Sequence, residues 1–475
     1  MNELSFSIGD VFAVWLERFN CFFPCQILEK NQDNQLLVLV FNLFESEKPS
    51  IDNIKHWRPL YNDHHYWQKE IFCGWITDFQ SLNPIFLGNA SPVSIPKEKQ
   101  IDKWTVHSTE QIESQYLWQQ LDPEIQKNFK SQKYSKIWIK DTLPTADFFK
   151  DLPQKNRYAY ELESDFLMAE LIDYLANTPM LITLHLPQKQ NPKVVDISKT
   201  HLRDLHLNIS NVEQLILNPL LVDLVLTGDF SSLKTIVCPF GGKLLNLQLN
   251  LENSYFDFSG LEQVKKVRIF SNQKNTIDVQ NIVQCLPQIS DMLINGQNAN
   301  LHNTLYFKEL KNLKSLWMTN VYGFDKFVQL VDLPLLEKLW VWSIPKSVGD
   351  VIKKEFGKLP DFEAKQLRSE AWLEANLGNP FAAWDGRDGT SPTIAKKAMK
   401  AYTDSYKKLD KKDLKSEEKE AILTDFIQIF NQIDKKHSID TLEREEIWEA
   451  FTKLAQLTSL GNKKIETIFE NHRDF

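Results

Sequence analysis

From Leu181 onwards, apolar residues stand at the first, fourth and sixth places of a short motif, with polar or mixed residues between them. The motif recurs as LITLHL from Leu181, LRDLHL from Leu202, LVDLVL from Leu221 and LLNLQL from Leu244. It continues as VKKVRI from Val264, ISDMLI from Ile289, LKSLWM from Leu313 and LEKLWV from Leu336. Successive starts lie 21, 19, 23, 20, 25, 24 and 23 residues apart. Places one, four and six are expected to point inward and to stack on the same places of neighbouring copies. One copy cannot bury its leucines, but a stack of copies makes a continuous core. Two weaker copies, VEQLIL from Val212 and LKTIVC from Leu233, fall midway between strong ones and predict a second strand in the early copies.

The flanks follow other periods. GDVFAVWL, NQLLVLVFNLF, IFCGWITDF and NPIFLGNA are β-branched and aromatic runs bounded by polar turns, which predicts strands before Lys97. TEQIESQYLWQQLDPEIQKNF has helical spacing, and DFFKDLPQKNRY reads as a connector. Near the C-terminus DFEAKQLRSEAWLEANL, PTIAKKAMKAYTDSYKKL, EEKEAILTDFIQIFNQID and TLEREEIWEAFTKLAQL all have apolar residues at the 3.6-residue helical period. Ser391 before Pro392 is a helix start, because proline suits the first helical position. The mixed-charge run KKLDKKDLKSEEKE reads as a solvated connector.

All but one of the motif spacings fall in the period of leucine-rich repeats, about 20–29 residues. The expected fold is α+β and multidomain. It comprises a β-rich domain over 1–97, a connector and N-terminal cap over 98–165, an irregular leucine-rich-repeat solenoid over 166–345 and a helical domain over 346–475. The irregularity is expected because the regular Asn that completes each turn is missing.

Places between the inward leucines face the open side of such an array. The fifth places carry His185, His206, Val225, Gln248, Arg268, Leu293, Trp317 and Trp340. Arg203, Lys265, Asp291, Lys314 and Lys338 stand at the second or third places. Two tryptophans on adjacent copies, flanked by charges, resemble an interface anchor with a charged rim. The partner-binding residues expected from this pattern are therefore Arg203, His206, Lys265, Arg268, Asp291, Lys314, Trp317, Lys338 and Trp340. A competing expectation packs Trp317 and Trp340 beneath the C-terminal helices, since an array end needs a cap.

Composition narrows the partner. The 475-residue chain is 42% hydrophobic and 25% charged, ordinary values for soluble domains. Its net charge of −8 argues against general nucleic-acid or anionic-membrane binding. No apolar run approaches the ~20 residues of a membrane span. Five scattered cysteines and no secretory signal pattern fit a cytoplasmic protein with reduced thiols, monomeric when free.

Candidate chemistry elsewhere is thin. The adjacent His64 and His65 would diverge on a strand or helix and need a sharp turn to converge, so no metal is expected. GNPFAAWDGRDGT, from Gly378, fails the calcium-loop and phosphate-loop patterns and reads as a turn-rich connector. There Asp385, Arg387 and Asp388 are expected to form a local ion-pair network, with Phe381 and Trp384 as anchors. Glu443 and Glu446 share a helix face and are simply explained by the helix dipole. An acidic hydrolytic site built from Asp385, Asp388 or Glu446 is the alternative, and a scaffold in motility or envelope assembly is another. No cofactor is expected.

Three blocks carry a resemblance. IGDVFAVWL with WRPLYNDHHYW resembles the start of the immunity protein 26 family of polymorphic-toxin systems. The middle resembles leucine-rich repeats. NPFAAWDGRDGTSP and DTLEREEI resemble the C-terminal domain of bacterial leucine-rich-repeat proteins often labelled gliding-motility proteins. The combination implies a non-catalytic immunity protein that binds a cognate toxin of a type VI or contact-dependent system in the cytoplasm.

Overall fold

Alternation and turn chemistry build the N-terminal sheet. In the computed structural model β1 (Asp10–Leu16), β2 (Cys21–Lys30), β3 (Leu36–Val40), β4 (Cys73–Ile76) and β5 (Ile85–Asn89) pair antiparallel in the order β4-β3-β2-β1-β5. The structure describes residues 5–65, 67, 69–95, 106–130, 136–140, 144, 147–149, 152, 159–253, 255–271, 275–324, 326–387, 389–411 and 413–475. Val38 and Val40 of β3 join one buried cluster with Phe12 and Phe23, while Leu37 and Leu39 join a second with Val11 and Phe41. A strand buried on both faces reads as a continuous apolar run, which explains LLVLV. β2 is a strand that the sequence reading did not list; Pro24 lies inside it, opposite Ala13.

The cysteines follow from this packing. All five are free thiols; four are buried and Cys238 is half-buried. Burial pushes the Cys25 thiol well up, the Cys73 thiol to about 12, aided by Glu29, and the Cys285 thiol to about 11. Thiolate is the reactive form. A native chain is therefore expected to give one fast thiol, Cys238, with a disulfide reagent, and the other four only after unfolding. A second fast thiol would mean that either the N-terminal sheet, which holds Cys21, Cys25 and Cys73, or the helix Val279–Cys285 opens readily.

Contacts divide the chain into two units, 1–164 with 168–184 and 200–202, and 165–167 with 185–199 and 203–475. The first holds the sheet above, helix α1 (Val106–Gln120), the helix Pro123–Lys130 and the parallel pair Lys136–Ile139 and Glu161–Ser164. The two helices answer the expected helical run. Of the expected connector DFFKDLPQKNRY, most positions lie outside the described residues.

In the second unit the motif copies become successive parallel strands. They are β6 (Asp204–Asn208), β7 (Asp223–Gly228), β8 (Asn246–Leu251), β9 (Lys266–Ser271), β10 (Asp291–His302), β11 (Ser315–Tyr322) and β12 (Lys338–Trp342). Fourth-place residues pair in one file, Leu205 through Leu339, and sixth-place residues in another, Leu207 through Val341. Each of these files is at most 2% exposed from β6 to β12. The first place is equally buried at Leu202, Leu221, Val264, Ile289 and Leu313. In LLNLQL the neighbour Leu245 takes the buried position and Leu244 is half-buried. The two weak copies, as Gln214–Ile216 and Thr235–Val237, join the strand Val194–Asp196 in a second parallel sheet.

Two expectations change near the end of the sheet. Asp361–Lys365, expected as the start of a helix, is strand β13 and pairs in register with β12. Phe362 and Ala364 continue the inward files, and helix begins only at Glu370, capped by Ser369. The C-terminal helices α2 (Pro392–Leu409), α3 (Ser416–Asp434), α4 (Thr441–Ala455) and α5 (Asn462–His472) follow. Ser391 caps α2 with Pro392 at its first position, as expected. Much of KKLDKKDLKSEEKE is helical, the break falling between Leu409 and Ser416.

Candidate functional site

On the face of the strands opposite the inward files, pairing sets three parallel rows of side chains. The fifth-place row runs His206, Val225, Gln248, Arg268, Leu293, Trp317, Trp340 and Glu363, each residue in register with the next. Strands lie about 4.8 Å apart, so neighbours in a row touch. The Trp317 and Trp340 rings stack with centroids 4.4 Å apart and planes 20° from parallel. Lys338 Nζ sits 3.8 Å from the Trp340 ring centre and 4.9 Å from that of Trp317. A cation over an indole face is attracted by the ring quadrupole.

Asp361 closes this cluster. The Trp340 Nε1–H donates to its Oδ1 at 2.6 Å, and Lys338 Nζ lies 3.2 Å from its Oδ2. The Trp340 hydrogen bond, with Lys338, holds the Asp361 carboxyl below its usual range. Trp340 is thus fixed at its polar edge and stacked on one face. Both indoles are half-buried, and neither belongs to the C-terminal helical core.

The other expected residues distribute unevenly. Lys265, Arg268 and Lys314 are exposed, and Asp291 is half-buried and accepts the Ser290 hydroxyl at 2.7 Å. His206 lies at the far end of the row, its ring 4.2 Å from that of His185. Arg203 is buried, at 6% exposed, and so does not reach the open face, unlike Lys265 and Lys314 at the same place of their copies. The second place is also buried at Val222 and Leu245, half-buried at Ile182 and Ser290, and exposed at Lys265, Lys314 and Glu337. The sequence reading missed Asp361 and Trp342. The alternation of Phe362 and Ala364 was the signal for the first, and the WVW spacing for the second.

The loop from Gly378 is held by partners distant in sequence. Arg387 forms a two-pronged pair with Glu446 at 2.8 and 2.6 Å, and the Trp384 Nε1–H donates to the same carboxylate at 2.7 Å. Arg368, 5% exposed, donates to the Asp385 carboxylate and carbonyl at 2.5 Å each and to Ser343 Oγ at 3.0 Å. The expected local network is therefore corrected: Asp385 and Arg387 bind outward to Arg368 and Glu446. Asp388 lies outside the described residues. Glu443 caps α4 with Asp440 and also meets His437 Nε2 at 2.9 Å.

The histidine pair sits in a sharp turn, the condition under which adjacent rings can meet. His65 has φ +50°, and this turn brings His64 Nδ1 and His65 Nδ1 to 2.9 Å. His64 Nε2 meets Gln111 Oε1 of α1 at 2.6 Å, so the pair ties its loop to the helix. Among the described residues no group of three or more His, Cys, Asp or Glu is placed to hold a metal ion. None of the described helices is long and apolar enough to cross a membrane. No protein-family model, curated protein or solved structure matches this chain.

Proposed function

We propose that the parallel array is a leucine-rich-repeat solenoid and that the chain is a cytoplasmic immunity protein. It acts by binding a cognate secreted antibacterial toxin through the open strand face. The observation that carries the binding reading is the Trp317–Trp340 stack, preorganised by Lys338 and Asp361 on an exposed sheet face. Large aromatic groups already fixed in one rotamer lose little entropy on binding, and such groups dominate interface energies. The toxin assignment is supported by the resemblance of the first block to immunity protein 26 and of the tail to bacterial repeat proteins. Neutralisation then needs only occupation of the toxin's active site or its substrate path, over an interface of ~1,600 Å².

Co-expression with the neighbouring gene product tests the reading. A stable complex and rescue from toxicity are expected; their joint absence rejects it. Within such a complex, changing Trp317 and Trp340 together to Ala is expected to weaken binding by about thirtyfold or more, as for hot-spot residues. Calorimetry checks this, and affinity within twofold of the parent would remove the stack from the interface.

A further inference from the structure

The cations of the open face are not equivalent. Lys338 pairs with Asp361 and Lys365 with Glu363. Lys265, Lys266 and Arg268 are exposed and, among the described residues, form no ion pair. The carboxylate in register with Lys266 is Asp291, half-buried and already bonded to Ser290. The chain as a whole carries a net charge of −8, so this is a local basic patch on an acidic protein.

The patch adjoins the aromatic anchor. Register places Arg268 beside Leu293, and Leu293 beside Trp317. Arg268 and Trp317 are thus two strand spacings apart, about 10 Å, the reach of about three residues of extended chain. An unpaired cation, an aliphatic step and a stacked indole pair in one row form a composite surface. Its electrostatic complement is negative and its apolar complement lies three residues away.

Resting on the reading of this face as a protein-binding surface, we propose that the partner meets it with an acidic segment. Its carboxylates lie over Lys265, Lys266 and Arg268, and an aromatic or aliphatic side chain about three residues away covers Trp317 and Trp340. A nucleic-acid strand fits less well. Asp223 of β7, in register with Asp204 and Asn246 and so with no cation, flanks the patch and would repel a phosphate backbone extending past it. The unpaired cations set the encounter rate and its salt dependence, whereas the indoles set the lifetime of the complex.

The test pans the full chain against a displayed random dodecapeptide library at low salt. Enriched peptides are expected to combine Asp or Glu with an aromatic or aliphatic residue about three positions away. A labelled enriched peptide should lose about tenfold or more in affinity with the K265E/K266E/R268E chain and should weaken as salt rises from about 50 to 300 mM. The neutral K265Q/K266Q/R268Q chain should show a smaller loss in the same direction. The W317A/W340A chain should also lose affinity but keep the salt dependence. Enrichment of basic or uncharged peptides, no enrichment, or a loss below twofold on charge reversal overturns the proposal. Tighter binding of single-stranded oligothymidylate than of the acidic peptide overturns it in favour of nucleic acid. In the co-expression assay, a complex that survives charge reversal but not the tryptophan changes rejects the acidic segment and leaves the immunity reading standing; no complex with the parent chain rejects the immunity reading itself.

Discussion

Changing Gly260 to Ala is expected to destabilise the second unit by about 2–5 kcal/mol, summing an unfavourable backbone and an overpacked contact. Gly260 has φ +103°, a conformation L side chains rarely adopt, and a Cβ there would overlap the Ile236 carbonyl oxygen. Ile236 lies in Thr235–Val237, the last strand of the smaller parallel sheet, and its N–H donates to Ser259 O at 2.8 Å. The obstacle is therefore backbone on both sides, which cannot rotate away as a side chain would. Either the bond from Ile236 to Ser259 breaks or the strand shifts. Urea unfolding followed by circular dichroism measures the loss. Gly378→Ala is the control, since nothing lies within 4 Å of a Cβ at that position. Equal midpoints for the two variants would contradict the close approach at Gly260.

Changing Trp384 to Ala is expected to cost about 3–5 kcal/mol, the range for emptying a buried aromatic site. Trp384 is fully buried, its ring edge-on to Phe381 at 5.1 Å and to Phe430 at 6.1 Å. Its indole N–H also satisfies Glu446, which Arg387 holds from the other side. The substitution leaves a cavity in the helical core and removes one partner of a carboxylate. Trp384→Phe keeps most of the packing and should cost less, about 1.5–3 kcal/mol for a hydrogen bond to a charged group. Hydrogen exchange should place the loss in α2, α3 and α4, whose buried side chains share this core. Unchanged exchange in those helices would mean that Trp384 does not hold the loop on the core.

Much of the second unit was readable because strand alternation is local. Places four and six of each motif copy had to share a face, and a fixed spacing had to set each copy beside its predecessor. The inward files from Leu205 to Leu339 and from Leu207 to Val341 follow directly. The midway copies at Val212 and Leu233 were readable for the same reason. The first place departs in one copy because it precedes the strand, where the backbone turns. LLNLQL accordingly buries Leu245 at the entry and leaves Leu244 half-buried.

What failed depended on neighbours. DFEAK has too few residues for a period to be decisive, and its strand form is imposed by the open edge of β12. Arg203 has the same place in its motif as Lys265 and Lys314, yet only Arg203 is buried. Chemical type and spacing do not encode which second places are covered. For His64 and His65 sequence named the condition for convergence, a sharp turn, but not whether it occurs; the positive φ at His65 supplies it.

GNPFAAWDGRDGT shows the division most clearly. Its glycines, Asn379-Pro380 and charged residues mark a turn-rich connector from sequence alone. Sequence also offers Asp385 and Arg387 each other as the nearest partners. Only the folded chain decides that Arg368 arrives from the end of β13 to hold Asp385, and Glu446 from α4 to hold Arg387. On the open face, likewise, sequence determined the row that carries Arg268, Leu293, Trp317 and Trp340. Tertiary structure alone decided that Lys338 and Asp361 lock the indoles while Lys265, Lys266 and Arg268 form no ion pair among the described residues. The physical reason is range: side-chain periodicity acts over a few residues, whereas ion pairing and burial depend on segments that only folding brings together.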